Sequence, residues 1–271
     1  MEYARVTEMP EGLVGLGLQW PKQLWYRGKW DKKLFVKCMT IVGSRRMTDY
    51  GRRVIEKIMP RLVQDGWTIV SGFMYGVDQY VHQTCLDCGG KTIAVLGWGI
   101  SNRIQGTGDR DLAERIINTG GLLMSLWENQ AGTLWTFPAR DRVMAYLGQE
   151  LIVVEAGIKS GSLITAEMAI KMKKTVWAVP GPITSSVSAG TNQLIADGKG
   201  KIWIGPGVRI QESEVSNPII ELIENQGLDA SEIARRLGRS VSDVGAELTM
   251  LILKGNVEER VGKYYFLNTS C

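Results

Sequence analysis

Between residues 38 and 181 six short β-branched or apolar runs recur at regular spacing, punctuated by glycine or another small residue. They are CMTIVG (38–43), WTIVSG (67–72), KTIAVLG (91–97), GLLMSLW (121–127), ELIVVEA (150–156) and TVWAVPG (175–181). Continuous apolar runs of this length are expected to be strands buried on both faces. The segments between them, such as 50–66 and 109–121, place apolar residues at i, i+3 and i+4 and end at glycine, as helices do. Strand and helix in alternation imply an α/β fold with a parallel, doubly wound sheet and right-handed crossovers.

A chain of 271 residues with 44% apolar content has enough material for one sizeable α/β core and a small appendage. Residues 204–218 (IGPGVRIQESEVSNP) read as a linker, and the rest of the chain reads as helix, turn, helix, short turn, helix and β-hairpin. Ser231 lies near one helix start, and two strands join around Gly262. A winged helix-turn-helix fits that order. The expected organisation is a lead-in over 1–37, the sheet domain over 38–205, a linker over 206–216 and the winged helix over 217–271. The third helix of the tail carries Asp243 and Glu247 and no Lys or Arg before Lys254. Base readout needs Arg, Lys, Asn or Gln on that face, so a protein-contact or dimer-support role is favoured over duplex binding.

Charge separates the two parts. Residues 1–215 carry 26 Lys+Arg against 20 Asp+Glu, whereas residues 216–271 carry 6 against 8, so the positive excess lies wholly in the larger part. No apolar run approaches the ~18 to 20 residues of a membrane span. The start, with Glu2, Arg5, Glu8 and Pro10, lacks a signal-peptide pattern. A cytoplasmic location is expected, with Cys38, Cys85, Cys88 and Cys271 as free thiols in a reducing compartment.

In doubly wound sheets ligands bind outside the carboxyl ends of the strands. The loops on that edge are rich in Gly, Ser, Thr and Arg: Gly43, Ser44, Arg45 and Arg46 after the first run, Gly72 and Phe73 after the second, and 125–142, 155–167 and 179–195 after the later ones. Glycines allow close backbone approach, and helix N-termini attract anions, so an anion is expected there. Arg45 and Arg46 read as phosphate ligands or as solvated surface cations. Arg140 and Arg142 read as phosphate ligands or as partners of Asp141 or Asp109. Phe73, Trp98, Trp127, Trp135 and Phe137 interleave with Arg45, Arg46, Arg103 and Arg140, as in single-strand binding sites, although each ring taken singly also suits a core. His82, Cys85 and Cys88 make an H-x-x-C-x-x-C string, which lacks the fourth ligand of a structural zinc. No catalytic residue, metal or cofactor is expected, and SGSLITAE has neither the lysine nor the spacing of a triphosphate loop.

The order of IVGSRR, VSGFMYGVDQYVH, TIAVLGWGI, GGLLMSLW, FPARDRVMA, LIVVEAGIKSGSLITAEMA, VWAVPGPI and SAGTNQLIADG resembles the DNA-processing protein A family, DprA or Smf, across residues 20–203. The resemblance implies an extended Rossmann-like, doubly wound, mostly parallel sheet with a small C-terminal winged helix-turn-helix domain, as relatives often carry. It further implies binding of single-stranded DNA by a homodimer that helps load a RecA-type recombinase in transformation or repair. The residues it nominates for the single strand are Gly43, Ser44, Arg45, Arg46, Gly72, Phe73, Arg103, Phe137, Arg140, Arg142, Ser160, Gly161, Ser162, Thr165, Gly190 and Asn192. Two departures stand out. Asp141 occupies the place of Asn in the family's FP-x-R-N-R block, and the family's YP with its following basic residue is replaced by GISNRIQGTGDRDL, where Arg103 supplies the cation. SGSLITAE also resembles the glycine-rich turn of the LOG, or lysine-decarboxylase-like, nucleoside-monophosphate phosphoribohydrolases. In that alternative Glu167 acts on the ribose and an arginine holds the phosphate, but PGG-x-GT is absent and GTNQLI has no role.

Overall fold

The run 38–42 forms an interior strand of a nine-stranded sheet in the computed structural model, which describes residues 2–7, 23–205, 218–223, 226–253 and 257–266. In chain order the strands are β1 (Ala4–Val6), β2 (Leu24–Arg27), β3 (Cys38–Val42), β4 (Thr68–Ser71), β5 (Thr92–Val95), β6 (Leu122–Ser125), β7 (Glu150–Val153), β8 (Thr175–Ala178) and β9 (Lys201–Ile202). They lie side by side as β1-β2-β6-β5-β4-β3-β7-β8-β9. From β6 to β9 every neighbouring pair is parallel. The crossover helices are α1 (Asp49–Gln64), α2 (Val77–Asp87), α3 (Thr107–Asn118), α4 (Thr136–Leu147), α5 (Gly161–Lys171) and α6 (Ala189–Ala196).

The continuous apolar character of the strands now has its cause. Met39, Ile41, Ile69 and Ile152 pack with α1 and α2 on one face of the sheet, and Val42, Val70, Leu151 and Val153 pack with α4 and α5 on the other. Neither face meets water, so no polar alternation is required. On α1 the buried residues Ile55, Ile58, Met59 and Leu62 follow helical spacing, and each such side chain contributes roughly 1.5–3 kcal/mol by burial. Thr48 caps this helix and Gly66, at φ 77°, turns the chain after it.

The six runs are thus all strands. The segment read as a lead-in differs: β1 and β2 extend the same sheet antiparallel beyond β6. Strands of three and four residues at a sheet margin carry too little periodicity to be recognised in a sequence.

Residues 209–271 form a second unit. It contains α7 (Pro218–Ile223), α8 (Ala230–Leu237) and α9 (Val241–Leu253), followed by a hairpin of β10 (Val257–Arg260) and β11 (Lys263–Phe266). Ile219, Ile223, Ile233, Val244, Leu248 and Val257 form its core. Ser231 lies in the first turn of α8, as expected; Asp229 caps the helix, accepting from the Glu232 N–H at 2.8 Å, and Gly238 closes it at φ 64°. The linker expected over 206–216, together with Lys254 and Cys271, lies outside the described residues. No helix among the described residues is long and apolar enough to cross a membrane.

Candidate nucleic-acid interface

Chain order reverses beside β3: β4, β5 and β6 proceed to one side, and β7, β8 and β9 to the other. The loops leaving β3 and β7 therefore diverge and open a crevice between them. The first loop is drawn down onto α2. The Ser44 carbonyl accepts from the Val77 N–H at 3.1 Å, and Gly76, at φ 89°, lets the two backbones touch where a Cβ would sit 2.5 Å from that same oxygen. Ser44 Oγ accepts from the Arg46 N–H at 2.9 Å and shapes the turn. With the backbone held below, Arg45 and Arg46 are both exposed.

The second loop ends at the N-terminus of α5. Ser160 does not cap the helix with its side chain; its hydroxyl bonds that of Ser162 at 2.8 Å instead. No acidic residue lies in the first turn, and nothing lies within 4 Å of the site a Gly161 Cβ would occupy. An open first turn without a carboxylate attracts anions through its free N–H groups and the helix dipole. Buried Glu155 ties the two loops together, accepting from the Thr48 N–H at 2.9 Å and from the Thr48 hydroxyl. That carboxylate is consumed in structure.

The third wall comes from the start of α4. Thr136 Oγ1 donates to the Gly97 carbonyl at 2.7 Å, and Phe137 packs on Gly97, where a Cβ would stand 2.6 Å from the ring. The Arg45 guanidinium lies 5.3 Å from the centre of the Phe137 ring. These walls enclose a cleft of about 740 Å3 lined by Gly43, Ser44, Arg45, Arg46, Phe137, Arg140, Ser160, Gly161, Ser162 and Thr165. A second cleft of about 650 Å3, bordered by Phe73, Trp98 and Arg103, shares Met74, Tyr75 and Phe137 with the first.

Several nominated residues stand elsewhere or act otherwise. Arg140 is only 4% exposed, and its guanidinium faces two carboxylates, Asp78 at 3.7 Å and Asp141 at 3.2 Å. It forms the charged floor of the cleft rather than an exposed phosphate ligand. Gly72 lies directly against this floor, since a Cβ there would overlap the Arg140 guanidinium and the Asp78 carboxylate. Phe73 is 2% exposed and packs with Leu96 and Ile100, leaving no open ring face for a base. Arg142 is exposed but borders neither cleft. Gly190 and Asn192 are braces outside the clefts: the Gly190 N–H donates to the Ala156 carbonyl at 2.7 Å, and the Asn192 amide exchanges two hydrogen bonds with Gly181 at 3.1 and 3.0 Å. Glu167, which acts on the ribose in the hydrolase alternative, is exposed on α5 and does not line the cleft. The site also recruits Lys159 and Tyr75, which were not among the residues expected there. A lysine directly before the Ser-Gly-Ser helix start was the available signal for the first; Tyr75 had none.

His82 is fully buried beside this floor, with Nε2 2.6 Å from the Gly72 carbonyl and Nδ1 2.7 Å from Thr92 Oγ1. Both ring nitrogens are engaged in packing, so the H-x-x-C-x-x-C string does not present His82 to a metal. Burial lowers its pKa to about 4, whereas burial, resisted by Arg140, raises that of Asp141 to about 6. The two groups act oppositely on stability. The depressed His82 value contributes stability that is present above pH 6.5 and lost as pH falls toward 4, because the unfolded chain takes the proton first. The raised Asp141 value contributes stability that is present below its ordinary 3.8 and lost as pH rises through about 6. Asp141→Asn removes only the second effect. Its stability relative to the parent is expected to be most favourable above neutral pH and to decline by roughly 2 kcal/mol on acidification to pH 4, measured by urea denaturation across that range. A pH-independent difference refutes the assignment.

A sequence profile of the family described as DNA recombination-mediator protein A matches residues 5–211. The chain is 32% identical over 257 residues to Protein Smf of Escherichia coli, covering 86% of this chain and 68% of that protein. It is 36% identical over 188 residues to DNA processing protein DprA of Streptococcus pneumoniae, covering 69% and 66% respectively. The chain thus spans about two thirds of the length of these curated relatives. The crystal structure of the S. pneumoniae protein superposes with a TM-score of 0.67 at 30% identity, over 75% of this chain and 72% of that one. The Helicobacter pylori DNA processing protein A, whose structure is described as giving insight into a unique single-stranded DNA binding mode, superposes at 0.64 with 27% identity, over 74% and 90%. The matched span contains the parallel sheet, the switch-point crevice and both clefts, and this chain belongs to the DNA recombination-mediator protein A family.

Proposed function

We propose that this protein binds single-stranded DNA along the carboxyl edge of its sheet and acts as a recombination mediator. The observation that carries the reading is the convergence, in one cleft, of exposed Arg45 and Arg46, the open N-terminus of α5 and the half-buried ring of Phe137. Cations and helix N–H groups follow phosphates, an aromatic face takes a base, and no part of that chemistry requires a duplex. In this reading a phosphate lies between Arg45 and the Gly161–Ser162 turn, and the adjoining base lies near Phe137. The protein shields incoming or processed strands in the cytoplasm, acts as a homodimer, and promotes loading of a RecA-type recombinase in transformation or recombination. It performs no catalysis.

The small unit, with three helices and a hairpin, is read as a winged helix-turn-helix over 217–271 that follows a linker at 206–216. Its α9 carries Asp243 and Glu247, and Glu247 is paired with Arg239 at 2.7 Å, which suits protein contact better than a phosphate backbone.

Fluorescence anisotropy with one labelled sequence, as single strand and as blunt duplex, tests the reading. Single-strand affinity is expected to exceed duplex affinity and to fall with salt at a log–log slope of about −0.7 per phosphate neutralised. Equal or tighter duplex binding overturns it.

A further inference from the structure

The second cleft differs in chemistry from the first. Beyond the shared residues Met74, Tyr75 and Phe137, its wall includes Gln79 of α2 and Asp109 in the first turn of α3, beside Trp98, Asn102, Arg103 and Gln105. Gln79 Nε2 donates to Asp109 Oδ1 at 3.0 Å, and this bond orients the amide against the carboxylate. Two acceptors, Gln79 Oε1 and the second Asp109 oxygen, have no hydrogen-bond donor among the described residues. Tyr75, 58% exposed, and half-buried Trp98 offer ring surface beside them, and exposed Arg103 borders the same cleft without an ion pair among the described residues. A carboxylate along the path of a polyanion is unfavourable unless it accepts hydrogen bonds from what binds there. The strand itself carries such donors on its bases.

The geometry points to a nucleobase subsite in this second cleft that takes amino-bearing bases, cytosine, adenine or guanine, in preference to thymine. The inference rests on the single-strand reading above: with a phosphate at Arg45, the neighbouring nucleotide crosses Tyr75 and Phe137 into the second cleft. The exocyclic amino groups of cytosine and adenine, and the amino and ring N–H groups of guanine, donate to the Gln79–Asp109 acceptors, as acidic side chains accept from cytosine N4. Thymine keeps one donor, its ring N3–H, but presents O4, an acceptor, where cytosine presents its amino donor, so one of the two wall acceptors is left facing an acceptor. On that contact the wall discriminates.

The decisive comparison is anisotropy titration of the full chain with labelled oligo(dT) and oligo(dC) of equal length at neutral pH. Both are weakly stacked pyrimidine strands that differ in the 4-substituent and the thymine methyl. The parent is expected to bind oligo(dC) at least about fivefold more tightly, the lower end of what a base-edge contact discriminates. Asp109→Ala should lower oligo(dC) affinity, raise oligo(dT) affinity and bring the ratio near one. The ratio is taken within one preparation, so partial loss of folded protein cancels. Arg45→Ala should weaken both strands and keep the parental ratio. Equal binding of the two strands by the parent, or an Asp109→Ala protein with the parental ratio, overturns the subsite and leaves the single-strand reading standing. Failure of the parent to bind either strand overturns both.

Discussion

Replacing Arg140 by Met is expected to destabilise the larger unit by about 3–5 kcal/mol, the range found when one partner of a buried ion pair is removed. Methionine fills a similar volume and leaves Asp78 and Asp141, each less than a tenth exposed on the cleft floor, without their cation. Burial raises the pKa of both carboxyls and Arg140 opposes it, so loss of the arginine pushes both further toward protonation. The defect should therefore shrink at pH 5, where the carboxyls of the variant accept protons. Adding Asp78→Asn and Asp141→Asn to Arg140→Met should recover much of the loss, since no buried charge then lacks a partner. Urea denaturation of the parent, single and triple variants decides the matter. A single variant as stable as the parent, with weakened DNA binding alone, would return Arg140 to the role of a phosphate ligand.

Arg45→Ala is expected to weaken single-strand binding by at least ~1.5 kcal/mol, or about tenfold, the scale of one charge-assisted hydrogen bond. The side chain is exposed, so folding is expected to be spared while a fork able to hold two phosphate oxygens is removed. Arg45→Lys keeps the charge and loses the fork, so its affinity should be intermediate. The salt slope of the alanine variant should also be shallower, because fewer counterions are released. Arg46 serves as the control: its N–H is bound to Ser44 Oγ, its guanidinium makes no aromatic contact among the described residues, and its alanine variant should lose less. Unchanged affinity in a folded Arg45→Ala protein removes the centre of the proposal.

The sequence by itself determined the α/β class and the six parallel strands. A strand such as CMTIV, buried on both faces, must be apolar at every position, and that pattern survives in one dimension. It also placed Gly43–Arg46 and Ser160–Ser162 on one edge of the sheet, because the carboxyl ends of successive parallel strands share an edge whatever their lateral order. Local chemistry marked the helix start near Ser231, which lies in the first turn of α8, and the glycines that end helices, whereas the caps Thr48 and Asp229 emerged only from the structure. Only the tertiary structure decided which edge residues face the cleft. Arg45 and Arg140 look equivalent as letters, yet Arg140 lies on the helix face turned toward Asp78, 62 positions earlier in the chain, and is neutralised there. Phe73 and Phe137 both follow strands, and Phe73 turns into the core while Phe137 rests on Gly97 at the cleft. The strands β1 and β2 and the pairing of Gln79 with Asp109 were equally out of reach. Burial and ion pairing depend on which distant segments the lateral strand order brings together, and periodicity records only what each segment does with its own two faces.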